Sequence, residues 1–153
     1  SNLYFEDITV TLKKKKNPTI LVDKVTACAR GGRPLFLMGP SGAGKTTLLN
    51  ALSGRLPYAE VTGRVLLDGK PVARDRLAYV EQFDEILGVF SIREHLVFRG
   101  RVLGVPEEDL QARVDELLEI LGFTGKEHHH TAGLTSGELK RVSVGLGMVG
   151  KPD

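Results

Sequence analysis

The sequence has 153 residues, of which 41% are hydrophobic and 26% charged, and 21 lysines and arginines against 19 aspartates and glutamates give a formal net charge of +2. This composition is typical of one soluble domain with a substantial core, and the small charge argues against a general nucleic-acid-binding surface. One cysteine, Cys28, excludes an internal disulfide framework and fits a reducing compartment, and no apolar run has bilayer-spanning length, so any membrane link is expected through another segment or chain.

The chain begins with two predicted strands. Leu3 to Leu12 alternates in part between apolar and polar side chains. Four apolar positions are candidates for one or both faces of a sheet: Phe5, Ile8, Val10 and Leu12. Lys13 to Lys16 and the Asn-Pro pair after them predict a solvated hairpin tip, with contact to an acidic surface as the alternative. Thr19 to Ala29, rich in β-branched residues, is predicted to return as an antiparallel partner.

A glycine-rich turn follows the apolar run Pro34 to Met38, which has the length of a strand. The turn consists of Gly39, Pro40, Ser41, Gly42, Ala43, Gly44, Lys45, Thr46 and Thr47. This is the P-loop pattern, in which glycines let backbone N–H groups wrap a phosphate and a helix N-terminus adds partial positive charge. It predicts a nucleotide site in which Lys45 contacts the β- and γ-phosphates, Thr46 ligates Mg²⁺ and Thr47 to Leu52 continues as a helix.

Two further strands are predicted after this helix. Gly63 to Leu67 ends in an Asp-Gly turn, and Leu77 to Val80 has the composition of a buried strand. Gln82 follows directly, at the kind of strand end where open α/β sheets place their ligands.

Helical patterns replace strand patterns in the second half of the chain. Ser91 with Glu94 predicts a capping box for a helix to about Leu103. Pro106, followed by three carboxylates, predicts the start of a second helix, which Gly122 is expected to end.

A polar loop with three adjacent histidines, His128 to His130, precedes the last predicted helix. Contiguous histidines cannot easily turn three imidazoles towards one metal ion, so we interpret this stretch as a solvated loop. Thr135 with Glu138 then predicts a second capping box at the start of a third helix.

The order of these motifs resembles the ATP-binding domain of an ABC transporter, in particular that of the G subfamily, the White and pleiotropic-drug-resistance type. Four segments carry the resemblance, which covers nearly the whole chain: Met38–Leu49, Tyr79–Asp84, Ser91–Leu96 and Gly137–Gly145. It implies an α/β fold with a P-loop NTPase core, an antiparallel β subdomain at the N-terminus and an inserted α-helical subdomain. The corresponding divisions of the chain are 1–33, 34–84 and 85–153.

The resemblance also implies ATP and Mg²⁺ as cofactors and assigns roles to single residues. Lys45 and Gln82 are the catalytic candidates, Thr46 and Gln82 the Mg²⁺ ligands, and Gln82 also senses a transmembrane domain. A signature motif acts on the nucleotide of a facing subunit, and its residues here are Thr135, Ser136, Gly137 and Glu138. The implied partners are a second nucleotide-binding domain in a head-to-tail dimer and a transmembrane domain outside this chain, with no nucleic acid, at the cytoplasmic face of a membrane.

Two of the departures from the family pattern bear on activity. The signature has Thr135-Ser136 where the family usually has Ser-Gly, and the added side chain is expected to weaken the phosphate clamp. The sequence also stops at Asp153, before the family's Walker B strand, catalytic glutamate and switch histidine. We therefore expect a truncated chain that binds nucleotide without significant hydrolysis, whereas the intact domain is an ATPase, and a central sheet that lacks an inner strand.

Other classes of function stay open at this point. A P-loop GTPase or small-molecule kinase would share the phosphate-binding turn, but no Asn-Lys-x-Asp guanine-reading motif is present in the sequence. A non-catalytic nucleotide-binding module and a soluble ABC-type protein are further alternatives.

Overall fold

The computed structural model describes residues 1–13, 17–73, 76–82 and 86–151. Parts of three sequence features lie outside these ranges: Lys14 to Lys16 of the predicted hairpin tip, Phe83 and Asp84 after Gln82, and Asp153. The chain has a mixed α/β structure with an antiparallel sheet, and it divides into two compact units, one formed mainly by Ser1–Leu77 and one that begins at Ala78.

The first unit contains a four-stranded antiparallel sheet in the order β2-β1-β3-β4. Its strands are β1 Leu3–Leu12, β2 Thr19–Ala29, β3 Ala59–Leu67 and β4 Lys70–Pro71. The first two predicted strands are confirmed with the same bounds, and the third begins earlier than predicted, at Ala59. The Asp-Gly turn after it is also confirmed, because Asp68 and Gly69 both have positive φ and connect β3 to β4.

A bulge in β1 brings its large apolar residues into one core. The register of pairing with β2 shifts between Phe5 and Ile8, and Asp7 in this stretch has a φ of 51°. Strict alternation would place Phe5 and Ile8 on opposite faces of the sheet, whereas the bulge lets both join Val10 in a single buried cluster. The first helix, α1 Lys45–Leu52, packs into the same cluster through Leu48 and Ala51.

The strand predicted at Pro34 to Met38 is wrong. These residues have irregular backbone and are exposed, with Phe36 at 77% and Met38 at 88% of their full exposure. A strand requires a neighbour to receive its backbone hydrogen bonds, and no strand in the described parts of the chain pairs with this segment. Apolar composition alone is therefore not enough to make the segment before the predicted P-loop part of the sheet.

The second unit is built on three helices: α2 Ile92–Val102, α3 Glu107–Ile120 and α4 Ser136–Met148. All three predicted helix starts are confirmed, since α2 and α4 begin with capping boxes and α3 begins after Pro106 with three carboxylates in its first turn. The predicted stop of α3 is also confirmed, because Gly122 has a φ of 70°. The helices share one core, formed by Ile92, Leu96, Leu110, Val114, Leu117, Leu118, Leu121, Phe123, Val142 and Val149.

The buried strand predicted at Leu77 to Val80 is also wrong. These residues have irregular backbone, and Ala78 is exposed. The segment instead lies against α4, where a Cβ built on Gly147 would come 3.1 Å from Val80 Cγ2 and 3.5 Å from Ala78 Cβ. A run of four apolar residues can pack against a helix as well as form a buried strand, and its periodicity does not distinguish these two environments.

Candidate functional site

The predicted P-loop forms a compact turn that leads directly into α1. Gly42 and Gly44 have φ values of 81° and 84°, a region that only glycine enters without strain. The Ala43 N–H donates to Pro40 O at 3.2 Å, which closes the turn before the helix begins at Lys45. The backbone therefore has the turned shape that the glycine pattern predicts.

Gly44 also lies too close to the sheet to carry a side chain. A Cβ built on it would lie 2.9 Å from Leu21 O and 3.4 Å from Val22 Cγ2, both in β2. The end of the loop thus rests on the backbone of a strand. Only glycine permits this approach, and the contact fixes where α1 starts.

The Lys45 ammonium lies over the loop. Its Nζ donates to Gly39 O at 2.8 Å and to Pro40 O at 2.7 Å. The charge is therefore held against the first residues of the turn by two carbonyl oxygens.

The N-terminus of α1 differs from those of α2 and α4. No side chain in the described residues caps it, and its first turn contains no acidic residue. The first N–H groups of a helix have no carbonyl partner within the helix, so the amides of Lys45, Thr46 and Thr47 are available to an anion. Thr46 is exposed, so its hydroxyl is accessible as an oxygen ligand for a cation such as Mg²⁺.

In the second unit, Thr135 and Glu138 of the predicted signature motif bond to each other in the capping box of α4. Glu138 N–H donates to Thr135 Oγ1 at 3.3 Å, while Glu138 Oε2 accepts from the Thr135 N–H at 3.0 Å. Hydrogen bonds from the Thr135 backbone and hydroxyl lower the pKa of the Glu138 carboxyl to about 2, and Lys126 at 3.2 Å contributes a smaller part of this shift. The exposed amides of Ser136 and Gly137 are the ones that this box leaves to an outside partner.

Gln82 and Ser136 line the same cavity of about 360 Å³ in the second unit. The remaining lining residues are Ile86, Gly88, Thr131, Ala132, Leu139, Lys140 and Ser143. Beside it, the Lys140 ammonium of α4 donates to Glu81 O, next to Gln82 in the chain. The structure thus brings the predicted strand-end glutamine next to the start of α4, although the strand itself is absent.

The histidine loop takes part in the fold rather than in a recognisable metal cluster. His130 Nδ1 lies 2.9 Å from Val89 O, and His130 forms an isolated β-bridge with Ser91. Within the described residues, no group of three or more His, Cys, Asp and Glu side chains is arranged to hold a metal ion. The oxygen-bearing Thr46 and Gln82 lie one in each unit.

Two residues that shape the region of the predicted signature motif were not predicted from the sequence. Lys126 contacts Glu138 from the loop after α3, and the buried Thr131 bonds the carbonyls of Leu87 and Phe90. Neither belongs to a short motif. A capping box with a nearby lysine and a polar residue between a loop and a helix is too common a pattern to single them out.

Comparison with known proteins agrees with this set of motifs. The family model described as ABC transporter matches residues 22–153. The chain belongs to the ABC transporter family. The match covers most of the chain, including the predicted P-loop and α4.

Curated relatives bear G-family names. An ABC transporter G family member STR from Petunia hybrida is 35% identical over 144 residues, and STR2 from Medicago truncatula is 34% identical over 169 residues. These alignments cover 86% and 98% of this chain but 17% and 23% of the relatives. A third relative, ABC transporter G family member 18 from Arabidopsis thaliana, is 34% identical over 92% of this chain and 22% of its own length.

The predicted assignment to the G subfamily is therefore confirmed, while the chain spans about a fifth of the length of these relatives. Among the described residues, no helix combines the length and apolar character that crossing a bilayer requires.

Proposed function

We propose that this chain is the nucleotide-binding part of a G-type ABC transporter, in which ATP binding and hydrolysis drive transport. The observation that carries the proposal is the P-loop turn, which combines positive-φ glycines, an uncapped helix start and the Lys45 ammonium within residues 39–47. The proposed divisions are an antiparallel β part over 1–33, a P-loop core over 34–84 and an inserted helical subdomain over 85–153.

In this proposal, the loop amides between Gly39 and Thr47 hold the β- and γ-phosphates of ATP, and Lys45 neutralises their charge. Gly44 supports the assignment, because its close approach to Leu21 O in β2 leaves no room for a Cβ and fixes the end of the loop where α1 begins. Thr46 and Gln82 supply oxygen ligands to Mg²⁺, which, when bound, offsets the charge that develops on the transferred phosphoryl group. Lys45 and Gln82 are the catalytic residues of the intact domain.

The proposed signature motif, Thr135 to Glu138, acts on ATP bound to the P-loop of a second nucleotide-binding domain in a head-to-tail dimer. The exposed amides of Ser136 and Gly137 suit an anion, while Thr135 and Glu138 hold the helix start in shape. Ser136 places a side chain near the phosphate, and the clamp is accordingly weaker than one with glycine. Gln82 responds to a transmembrane domain, through which the chain is held at the cytoplasmic face of a membrane.

The test is binding of a fluorescent ATP analogue to the chain and to Lys45→Ala. Loss of a charged phosphate contact should weaken binding roughly tenfold or more. Lys70→Ala is the matched control, because it removes the same charge from an exposed position in β4. Equal affinity of the two variants would contradict the proposed site.

Hydrolysis is tested separately. The chain alone should release almost no phosphate from ATP, and a longer chain that continues through the family's Walker B strand should gain an ATPase activity that Lys45→Ala abolishes. Nucleotide binding without any ATPase activity in the longer chain would favour a non-catalytic module instead.

A further inference from the structure

A short loop, residues 86–90, follows Gln82 closely in the chain and is held through its backbone carbonyls. His95 Nε2, from α2, lies 2.9 Å from Leu87 O. His130 Nδ1, from the segment before α4, lies 2.9 Å from Val89 O. The loop is therefore anchored to two neighbouring elements by side chains that reach its main chain.

Thr131 makes the most extensive of these contacts. Its hydroxyl oxygen lies 2.8 Å from Leu87 O and 3.2 Å from Phe90 O, so the single hydroxyl hydrogen is shared between two carbonyls, and its N–H donates to Phe90 O at 3.0 Å. The residue is only 1% exposed. It opens a 3-10 turn, Thr131–Gly133, which leads into the capped start of α4 at Thr135. One buried hydroxyl thus joins the loop after Gln82 to the segment that precedes the proposed signature motif.

The same contact forms part of the cavity that Gln82 and Ser136 share. Gly88 and Ala132 both line this cavity, and the Ala132 N–H donates to Gly88 O at 3.3 Å. Thr131 lines the cavity as well. The two segments that line the cavity are therefore joined where these backbones bond to each other.

We propose that Thr131 is a positioning residue that sets the placement of Gln82 relative to Ser136 and transmits displacements between them. This rests on the proposed function, which gives Gln82 and Ser136 their roles towards ATP. Without the Thr131 hydroxyl, Leu87 O keeps the Phe90 N–H and the His95 ring, and Phe90 O keeps the Thr131 N–H, so the loop stays anchored but loses one side-chain bond to the segment before α4. With the hydroxyl in place, this buried bond ties the loop carbonyls to residue 131, so a shift of the loop is passed on towards α4.

The test compares Thr131→Val, which keeps the shape and removes the hydroxyl, with Thr131→Ser, which keeps the hydroxyl. Amide hydrogen exchange is measured by NMR on the full chain without nucleotide. In Thr131→Val, exchange at Ala132 and at Leu139 in the first turn of α4 should be roughly tenfold faster or more, with Val114 in α3 unchanged. Thr131→Ser should restore the original rates.

The Gln82 side-chain amide resonance provides a second measurement. It should shift in Thr131→Val and return in Thr131→Ser, whereas Thr124→Val, a change of the same type at an exposed position, should leave it in place. Faster exchange at Ala132 without any change at Leu139 would overturn the proposal, because the loop would then be anchored without being coupled to α4. Equal acceleration at Val114 would also overturn it, because Thr131 would then serve only overall stability.

These measurements are independent of nucleotide, so they separate this inference from the proposed function. Failure of Lys45→Ala to weaken ATP binding would remove the proposed site while leaving the exchange result intact. Failure of the Thr131 variants would remove the coupling while leaving ATP binding intact.

Discussion

Replacing Gly42 and Gly44 by alanine, one at a time, tests the P-loop geometry through two residues with nearly the same backbone. Their φ values are 81° and 84°. An alanine in this left-handed region costs about 1–2 kcal/mol, and the stiffer unfolded chain offsets about 0.4–1 kcal/mol of that. On backbone strain alone, both variants should therefore lose about 1 kcal/mol of unfolding free energy.

The two positions differ in the space around them. A Cβ on Gly42 meets no heavy atom of the described residues within 4 Å, whereas a Cβ on Gly44 lies 2.9 Å from Leu21 O. That oxygen belongs to the backbone of β2 and cannot rotate away, so the loop or the strand must move, at about 1–3 kcal/mol for overpacking. We expect Gly42→Ala to cost about 1 kcal/mol and Gly44→Ala about 2–4 kcal/mol.

The assay is urea unfolding followed through the amide resonances of β1, which report on the first unit, together with binding of a fluorescent ATP analogue. Gly44→Ala should lose more stability and more nucleotide affinity than Gly42→Ala, because it displaces the start of α1 from β2. Equal losses, or a larger loss for Gly42→Ala, would refute the close approach of Gly44 to Leu21 O.

Two other predictions concern the second unit. The Glu138 carboxyl should titrate near its pKa of about 2 instead of the ordinary 4.5 when followed by NMR, and Thr135→Val should raise that pKa. Because folding lowers this pKa, the capping box contributes its full stability above pH 4.5 and loses it as the pH falls towards about 2. Titration of Glu138 near pH 4.5 in the unchanged chain would contradict this prediction. Leu117→Ala, at a core residue with 0% exposure, should cost about 2–5 kcal/mol in urea unfolding, whereas Val102→Ala, at 60% exposure, should cost less than about 0.5 kcal/mol; similar losses would contradict the packing.

The features that sequence predicted well are those that a few adjacent residues determine. The capping box of α4 depends only on a hydroxyl and a carboxylate three positions apart, and the β3–β4 turn depends on Asp68 and Gly69 tolerating positive φ. The positive φ of Gly42 and Gly44 belongs to the same class. In each case, the interactions that determine the conformation involve only a few adjacent residues, so the local sequence is enough to predict it.

The two wrong strands are features that distant residues determine. Pro34 to Met38 and Leu77 to Val80 have suitable side chains, but a strand also needs a ladder of backbone hydrogen bonds from another segment. Packing of Val80 against Gly147 depends on α4, far along the chain, and no local pattern reports it. The bulge at Asp7 is similar, because it follows from pairing with β2 and β3.

The candidate site also contains one part that adjacent residues determine and one part that distant residues determine. The turned backbone at Gly42 and Gly44 is local, so the sequence predicted it, whereas the cavity that Gln82 and Ser136 share depends on how residues 86–90 meet the segment before α4. Thr131 joins these two segments through its hydroxyl, which bonds to carbonyls more than forty positions earlier in the chain. No short motif spans such a separation. A substitution at Thr131 should thus alter the relation between two motifs without changing either of them, an effect that comparison of motif sequences alone would not detect.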